Sequence, residues 1–113
     1  MPIDDVAIRL VIFLSEEDRH HHRGLHEVLL TRARDMGIVG ATVWRGIEGF
    51  GSSRRVRTAR FPDSNIGLPL AVELIDEAGQ IEKFLAVVSE LAPGSFVTRE
   101  TVQIVRSHSR VSE

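Results

Sequence analysis

The sequence predicts an α+β fold in which a four-stranded antiparallel sheet carries two helices on one face. Three observations lead there. Four short segments, Val6 to Leu14, Ala41 to Ile47, Leu70 to Ile75 and Phe96 to Arg106, have the apolar and β-branched composition of strands. Two longer segments between them repeat apolar residues at helical spacing. The resulting order is β-α-β, a long polar connection, then β-α-β: two similar halves. Right-handed crossovers place both helices on the same side of the sheet, which is the ferredoxin-like split βαβ arrangement.

In the first strand, Ile8, Leu10, Ile12 and Leu14 fall on one face and Ala7, Val11 and Phe13 on the other. A strand apolar on both faces belongs in the middle of a sheet. Ser15-Glu16-Glu17-Asp18 has helix-start chemistry. From Leu25 onward, Val28, Leu29, Ala33 and Met36 follow helical spacing until Gly37, so the first helix spans about Gly24 to Met36. Ala41 to Ile47 is the second strand. It leads into the glycine-punctuated run Gly46 to Gly51 and a mobile loop over residues 48–68, too polar and too rich in turn residues for core. Leu70 to Ile75 is the third strand; Ile81, Phe84, Leu85, Val88 and Leu91 mark the second helix, which Pro93-Gly94 terminates. Phe96 to Arg106 is the last strand, and residues 107–113 read as a frayed tail.

A chain of 113 residues fits one domain, residues 1–113, with its core over 6–106. Apolar residues make up 42% and aromatics only 5%, so the core must be aliphatic. A formal charge of −2 argues against a general nucleic-acid binder, which needs a broad basic footprint, and any anion site must therefore be local. All basic residues except Lys83 are Arg, a bias that a GC-rich genome explains and that also favours planar two-pronged contacts to phosphate or carboxylate. The absence of cysteine removes disulfides, thiolate nucleophiles and Cys-based metal centres. The N-terminal run has two acids before its apolar residues and no basic region, so it reads as a strand and not as a secretion signal. No apolar stretch approaches membrane-span length, and a cytoplasmic location is expected.

The segment RGIEGFGSSRRVRTAR, Arg45 to Arg60, resembles the signature of the bacterial PII-like domain-of-unknown-function family 190. Ser15-Glu16-Glu17-Asp18-Arg19, Leu25, Glu27, Gly40-Ala41-Thr42-Val43, Val97-Thr98 and Val105-Arg106 fall where that family has similar residues, so the resemblance runs from about Val6 to Arg106. His20 and His26 depart from it, standing where the family often has large aromatics. The resemblance implies the trimeric assembly of PII signalling proteins, with the loop after the second strand in the place of their effector-reading loop. It implies nucleotides in clefts between subunits, and a partner transporter, enzyme or regulator that reads the loop.

The candidate effector-binding residues are Arg45, Gly46, Glu48, Gly49, Phe50, Gly51, Arg55, Thr58, Arg60 and Arg106. Arg54, Arg55, Arg57 and Arg60 gather four positive charges within seven residues, while Gly49 and Gly51 let the backbone approach a ligand closely. An adenine nucleotide is among the candidate effectors. The alternative is a solvated basic loop, or one whose arginines pair with a neighbour's Asp or Glu. Phe50 and Trp44 read first as anchors in the core or at a subunit seam. Arg99 and Arg106 are candidates to reach a subunit cleft.

His20-His21-His22 and His26 support a second reading, as a divalent-metal binder. If the helix begins early, His22 and His26 stand one turn apart on one face, with Asp18 or Glu27 to complete the shell. The plainer account is a histidine-rich exposed helix start. A third reading is a ligand-free adaptor for a membrane transporter. Acylphosphatases share the element order, with an arginine-bearing phosphate loop after the first strand, where Arg19 and Arg23 lie. No glycine-rich cradle precedes Arg19, and the single Asn, Asn65, is in the long loop. Catalysis is therefore not expected.

Overall fold

The computed structural model describes residues 5–60 and 67–107. The predicted tail beyond Ser107 and part of the long loop lie outside the described residues. The main sheet has the order β4-β7-β1-β8, formed by β1 (Val6–Ser15), β4 (Gly40–Arg45), β7 (Pro69–Asp76) and β8 (Phe96–Gln103). Every neighbouring pair is antiparallel. Two helices, α1 (Leu25–Asp35) and α2 (Ala78–Leu91), supply the crossovers β1-α1-β4 and β7-α2-β8. The expected ferredoxin-like arrangement is thus the observed one.

Register decides which side of each strand meets the helices. Leu10 lies opposite Leu74, Ile12 opposite Val72 and Leu14 opposite Leu70, so these six side chains form one apolar face. They pack with Leu25, Leu29 and Ala33 of α1 and Ile81, Phe84 and Val88 of α2, all in one buried cluster. A one-residue slip would turn this face to water, so burial fixes the register. The central place predicted for β1 is also found, since it pairs with β7 on one side and β8 on the other.

Both helix starts rely on backbone and neighbouring groups. Gly24 makes no side-chain cap, and the Leu25 N–H instead donates to the Asp18 carbonyl at 2.8 Å. At the other end of α1, Gly37 takes φ +79°, its N–H donates to the Arg34 carbonyl, and the Ile38 N–H donates to Ala33. That pair of reversed bonds satisfies orphan carbonyls of the last turn, and it needs a residue tolerant of positive φ. Asp76, fully buried, accepts from the Val39 N–H at 3.0 Å through Oδ2 and from the Glu77 N–H at 2.6 Å through Oδ1. One carboxylate thus ties the α1–β4 connection to the start of α2, and the two backbone donors compensate its desolvation.

The sequence departs from expectation after β1. Ser15-Glu16-Glu17-Asp18 does not start a helix: the Asp18 N–H donates to the Ser15 carbonyl, and Asp18 Oδ2 accepts from the Ser15 N–H. These short side chains close a turn on their own backbone, the alternative that competes with helix formation. A small ribbon follows, β2 (Arg19–His20) paired with β3 (Arg23–Gly24), and His21 takes φ 58° at its tip. A second ribbon, β5 (Glu48–Gly49) with β6 (Arg57–Thr58), stands within the stretch read as a loop. The second strand also ends at Arg45, short of Ile47, and β8 ends at Gln103, short of Arg106.

The sheet face turned away from the helices is part apolar and part ionic. Phe13 and Phe96 lie opposite each other with ring centroids 5.7 Å apart, and Trp44 stands on the same face of β4. These rings are 45%, 69% and 58% exposed, far from the buried state that aromatic surface favours. Between them, Arg9 bridges Glu73 at 3.3 Å and Glu100, and the Trp44 indole N–H donates to Glu73 at 2.9 Å. The Trp44 hydrogen bond, with help from Arg9, holds the Glu73 carboxyl below the usual carboxylate range. A depressed folded value means the unfolded chain binds the proton first. The stabilisation is therefore complete above the ordinary carboxylate range and is lost as pH falls through the depressed value. Denaturant titrations of wild type and Glu73→Gln across acidic pH should show a steeper loss of stability for wild type in that window. Parallel curves would mean that the contacts of Glu73 do not favour its ionised form.

Candidate functional site

The long connection between β4 and β7 is fastened to the rest of the molecule at its beginning, middle and end. The β4–β7 ladder runs one step past Arg45: the Gly46 N–H donates to the Pro69 carbonyl at 2.8 Å. A Cβ on Gly46 would stand 2.8 Å from the Pro69 ring, so only glycine permits this approach. The Ala59 N–H donates to the Ile47 carbonyl and extends the β5–β6 ribbon, whose register pairs Glu48 with Thr58 and Gly49 with Arg57.

Most of the remaining fastening comes from the acidic turn. Glu16 Oε2 accepts from Arg45 Nε at 2.6 Å, and its other oxygen accepts from the Leu68 N–H at 3.3 Å. The Glu16 N–H donates to the Leu68 carbonyl at 3.0 Å, and Ser15 Oγ donates to the Gly67 carbonyl at 3.4 Å. Glu17 lies 3.8 Å from the Arg57 guanidinium and presses against Gly67, where a Cβ would meet Glu17 Oε1 at 2.6 Å. The residues after β1 therefore touch the first arginine of the connection, the arginine of its returning strand, and its last two described residues.

Within the connection, Arg60 reaches Glu48 at 3.4 Å, and the Thr58 hydroxyl accepts from the Arg60 N–H at 3.1 Å. The Arg54 guanidinium sits 4.9 Å from the centroid of the Phe50 ring, within cation–π range. Arg54 takes φ 65°, and its N–H closes a turn onto the Gly51 carbonyl at 2.9 Å. The Arg55 N–H donates to Ser53 Oγ, while its exposed guanidinium makes no ion pair among the described residues. Arg45, Arg57 and Arg60 thus each face a carboxylate of this same chain. Exposed pairs of this kind contribute about 0–1 kcal/mol each, which an incoming polyanion can outcompete.

Nine of the ten predicted effector residues lie here, Arg45 at the end of β4 and the other eight, Gly46 through Arg60, on this connection. It does not bring Arg106 there. β8 runs antiparallel to β1 with Phe96 beside Phe13 and Gln103 beside Val6, so Arg106 follows the end of β8 farthest from Ser15. The ten residues of β1 separate the two ends by about 30 Å. Arg99 is engaged with Glu82 of α2 at 2.8 Å. Phe50 is half-exposed beneath Arg54 and does not join the core of this chain, and Trp44 belongs to the open sheet face.

The premise of the histidine pair is not met. His22 stands in the turn of the β2–β3 ribbon and α1 begins only at Leu25, so His22 and His26 do not share a helical face. Among the described residues no group of three or more His, Asp or Glu side chains could hold a metal ion. No helix among them is long and apolar enough to cross a membrane. Sequence reasoning missed the roles of Glu16 and Glu17. The one available signal was charge: three consecutive acids, Glu16 to Asp18, after β1 in a chain whose arginines crowd the other connection at the same end of the sheet.

Comparison with known proteins agrees with this architecture. A profile of the family DUF190, described as uncharacterized ACR, matches residues 7–104. A UPF0166 protein of Aquifex aeolicus (strain VF5) is 34% identical over 96 residues, covering 85% of this chain and 90% of that protein. A second UPF0166 protein of the same organism is 29% identical over 68 residues, covering 60% and 71%. Among solved structures, CPII of Thiomonas intermedia K12, bound to ADP and bicarbonate, superposes with a TM-score of 0.60 at 18% identity, covering 89% of this chain and 90% of that one. A PII-like signaling protein of Thermus thermophilus gives 0.59 at 24% identity, covering 90% and 94%. At such identities the structural likeness establishes the fold, which is PII-like, and the sequence match establishes the lineage: the chain belongs to the DUF190 family.

Proposed function

We propose that this chain is a PII-like regulatory protein and not an enzyme. In this reading it binds a small anionic effector, with an adenine nucleotide among the candidates, in clefts between the copies of a homotrimer. It presents the arginine-rich β5–β6 ribbon to a partner protein such as a membrane transporter or a regulator. The observation that carries the reading is the gathering of Arg45, Arg54, Arg55, Arg57 and Arg60 within sixteen residues, with carboxylates already docked on three of them. A guanidinium fork that receives a carboxylate receives phosphate oxygens by the same parallel hydrogen bonds. Nucleotide binding by CPII, a protein of the same fold, lends further support.

Assembly into trimers draws support from the open sheet face. Phe13, Trp44 and Phe96 present aromatic surface to solvent there, and contiguous apolar surface on a soluble protein marks an interaction site. The Arg9–Glu73–Glu100 cluster among the rings gives a second copy a fixed charge pattern to match, which selects orientation. A cleft between copies would also give Arg106 a role that it cannot have beside the ribbon of its own chain.

Two measurements test this reading. Calorimetry against a nucleotide panel should find ADP or a related nucleotide bound by wild type. Arg55→Ala with Arg60→Ala should weaken that binding at least about tenfold, the loss expected when charged hydrogen bonds worth about 1.5–3 kcal/mol are removed. Unchanged affinity would remove both arginines from the site. Sedimentation should give a trimer for wild type and for that double variant, and smaller species for Phe96→Asp, whose charge would be buried in the proposed interface. A monomeric wild type would contradict the cleft.

A further inference from the structure

We infer that the acidic turn Ser15–Asp18 is a built-in competitor for the effector: Glu16 and Glu17 occupy Arg45 and Arg57, and anion binding displaces them, freeing the ribbon. The competition rests on the anion-binding reading above; the restraint of the ribbon does not. The same two residues do two things at once. Glu16 neutralises Arg45 through one oxygen while the other holds the Leu68 N–H, and Glu17 faces Arg57 while wedged against Gly67. The arginines are thereby kept near the places an anion would need them, and the two ends of the connection are clamped to the end of β1.

Carboxylate and anion exclude each other at one donor, the Arg45 Nε–H, and like charge opposes holding both on the remaining N–H groups of the same guanidinium. The Arg45 Nε–H is directed at Glu16 at 2.6 Å and cannot serve a phosphate oxygen in that position without releasing the carboxylate. Release costs the connection its tie between Arg45 and Leu68. The backbone pair Glu16 N–H to the Leu68 carbonyl and the Gly46 N–H to the Pro69 carbonyl remain, so the base stays in place while the β5–β6 ribbon gains freedom. Arg60 and Glu48 repeat the arrangement inside the ribbon itself. An effector that attracts Arg45 and Arg57 would therefore be read by the partner as a change in the ribbon, with no movement of the core sheet.

The test uses the full chain and two readouts. Limited trypsin digestion without ligand follows cleavage within 54–60, where Arg54, Arg55, Arg57 and Arg60 offer sites. Glu16→Gln with Glu17→Gln should be cut there several-fold faster than wild type, while Asp35→Asn, which removes a surface pair with Arg34 elsewhere, should match wild type. Calorimetry with ADP should then show several-fold tighter binding by the double Glu variant, and weaker binding by Arg45→Gln even though that change also speeds cleavage. Cleavage unchanged in the Glu variant overturns the inference whatever ADP does. Faster cleavage with ADP affinity equal to wild type overturns the competition and leaves the turn a structural brace. Absence of ADP binding in every protein, wild type included, overturns the nucleotide reading and with it the competition, while the cleavage rates still decide whether the turn restrains the ribbon. A melting curve for each variant separates local release from loss of the fold.

Discussion

Glu16 sits just beyond the end of β1, and its two carboxylate oxygens reach opposite ends of the longest connection in the chain. One takes the Arg45 guanidinium where that connection begins, and the other takes the Leu68 N–H where it ends. The arginine-rich ribbon depends on this bridge together with a few other polar ties, among them Glu17 with Arg57 and the Gly46 N–H with the Pro69 carbonyl. Ile47, Phe50 and Val56 are all exposed, so among the described residues apolar burial does not hold the ribbon to the core. Backbone pairing in β5–β6 extends over two residues a side, well short of a ladder stable by itself. The ribbon is fixed by charge and hydrogen bonding, and such ties respond to an added anion in a way that a buried core does not.

The division of labour follows from what each part buries. Leu10, Ile12, Val72, Leu74, Ile81 and Phe84 are essentially removed from water and give the sheet and helices their register. Asp76 adds a buried polar tie between the α1–β4 connection and α2. On the opposite face of the sheet, aromatic rings and a charge cluster remain open to a neighbour. At one end of the sheet, the acidic turn and the arginine ribbon face each other across exposed surface. The buried core, the open aromatic face and the exposed ionic end thus lie in different regions, so a change at the ribbon need not compromise the fold.

The four long strands and both helices were legible in the sequence because each has a period long enough to read. β7 alternates buried and partly exposed residues over its whole length, and α1 and α2 place apolar residues at helical spacing. The two short ribbons were not legible. Two residues a side give no periodicity, and Ser15 to Asp18 carries the same residue types as a helix N-terminus while its side chains close a turn instead. The candidate effector residues from Arg45 to Arg60 stood out by composition and family resemblance. Their carboxylate partners did not, because Glu16 meets Arg45 and Leu68 across separations of 29 and 52 residues that no local pattern encodes. The histidine pair failed for the same reason as the helix start: it assumed one more turn of α1 than the chain forms.

In the proposed response, Arg45 and Arg57 exchange a carboxylate for an anion when effector binds. A crystal structure of the assembled chain grown with ADP tests it most directly. The account predicts phosphate oxygens on these guanidinium groups, Glu16 and Glu17 withdrawn from them, and the β5–β6 ribbon in a new position over an unchanged sheet. ADP bound far from residues 45–60, with Arg45 still on Glu16, would contradict it.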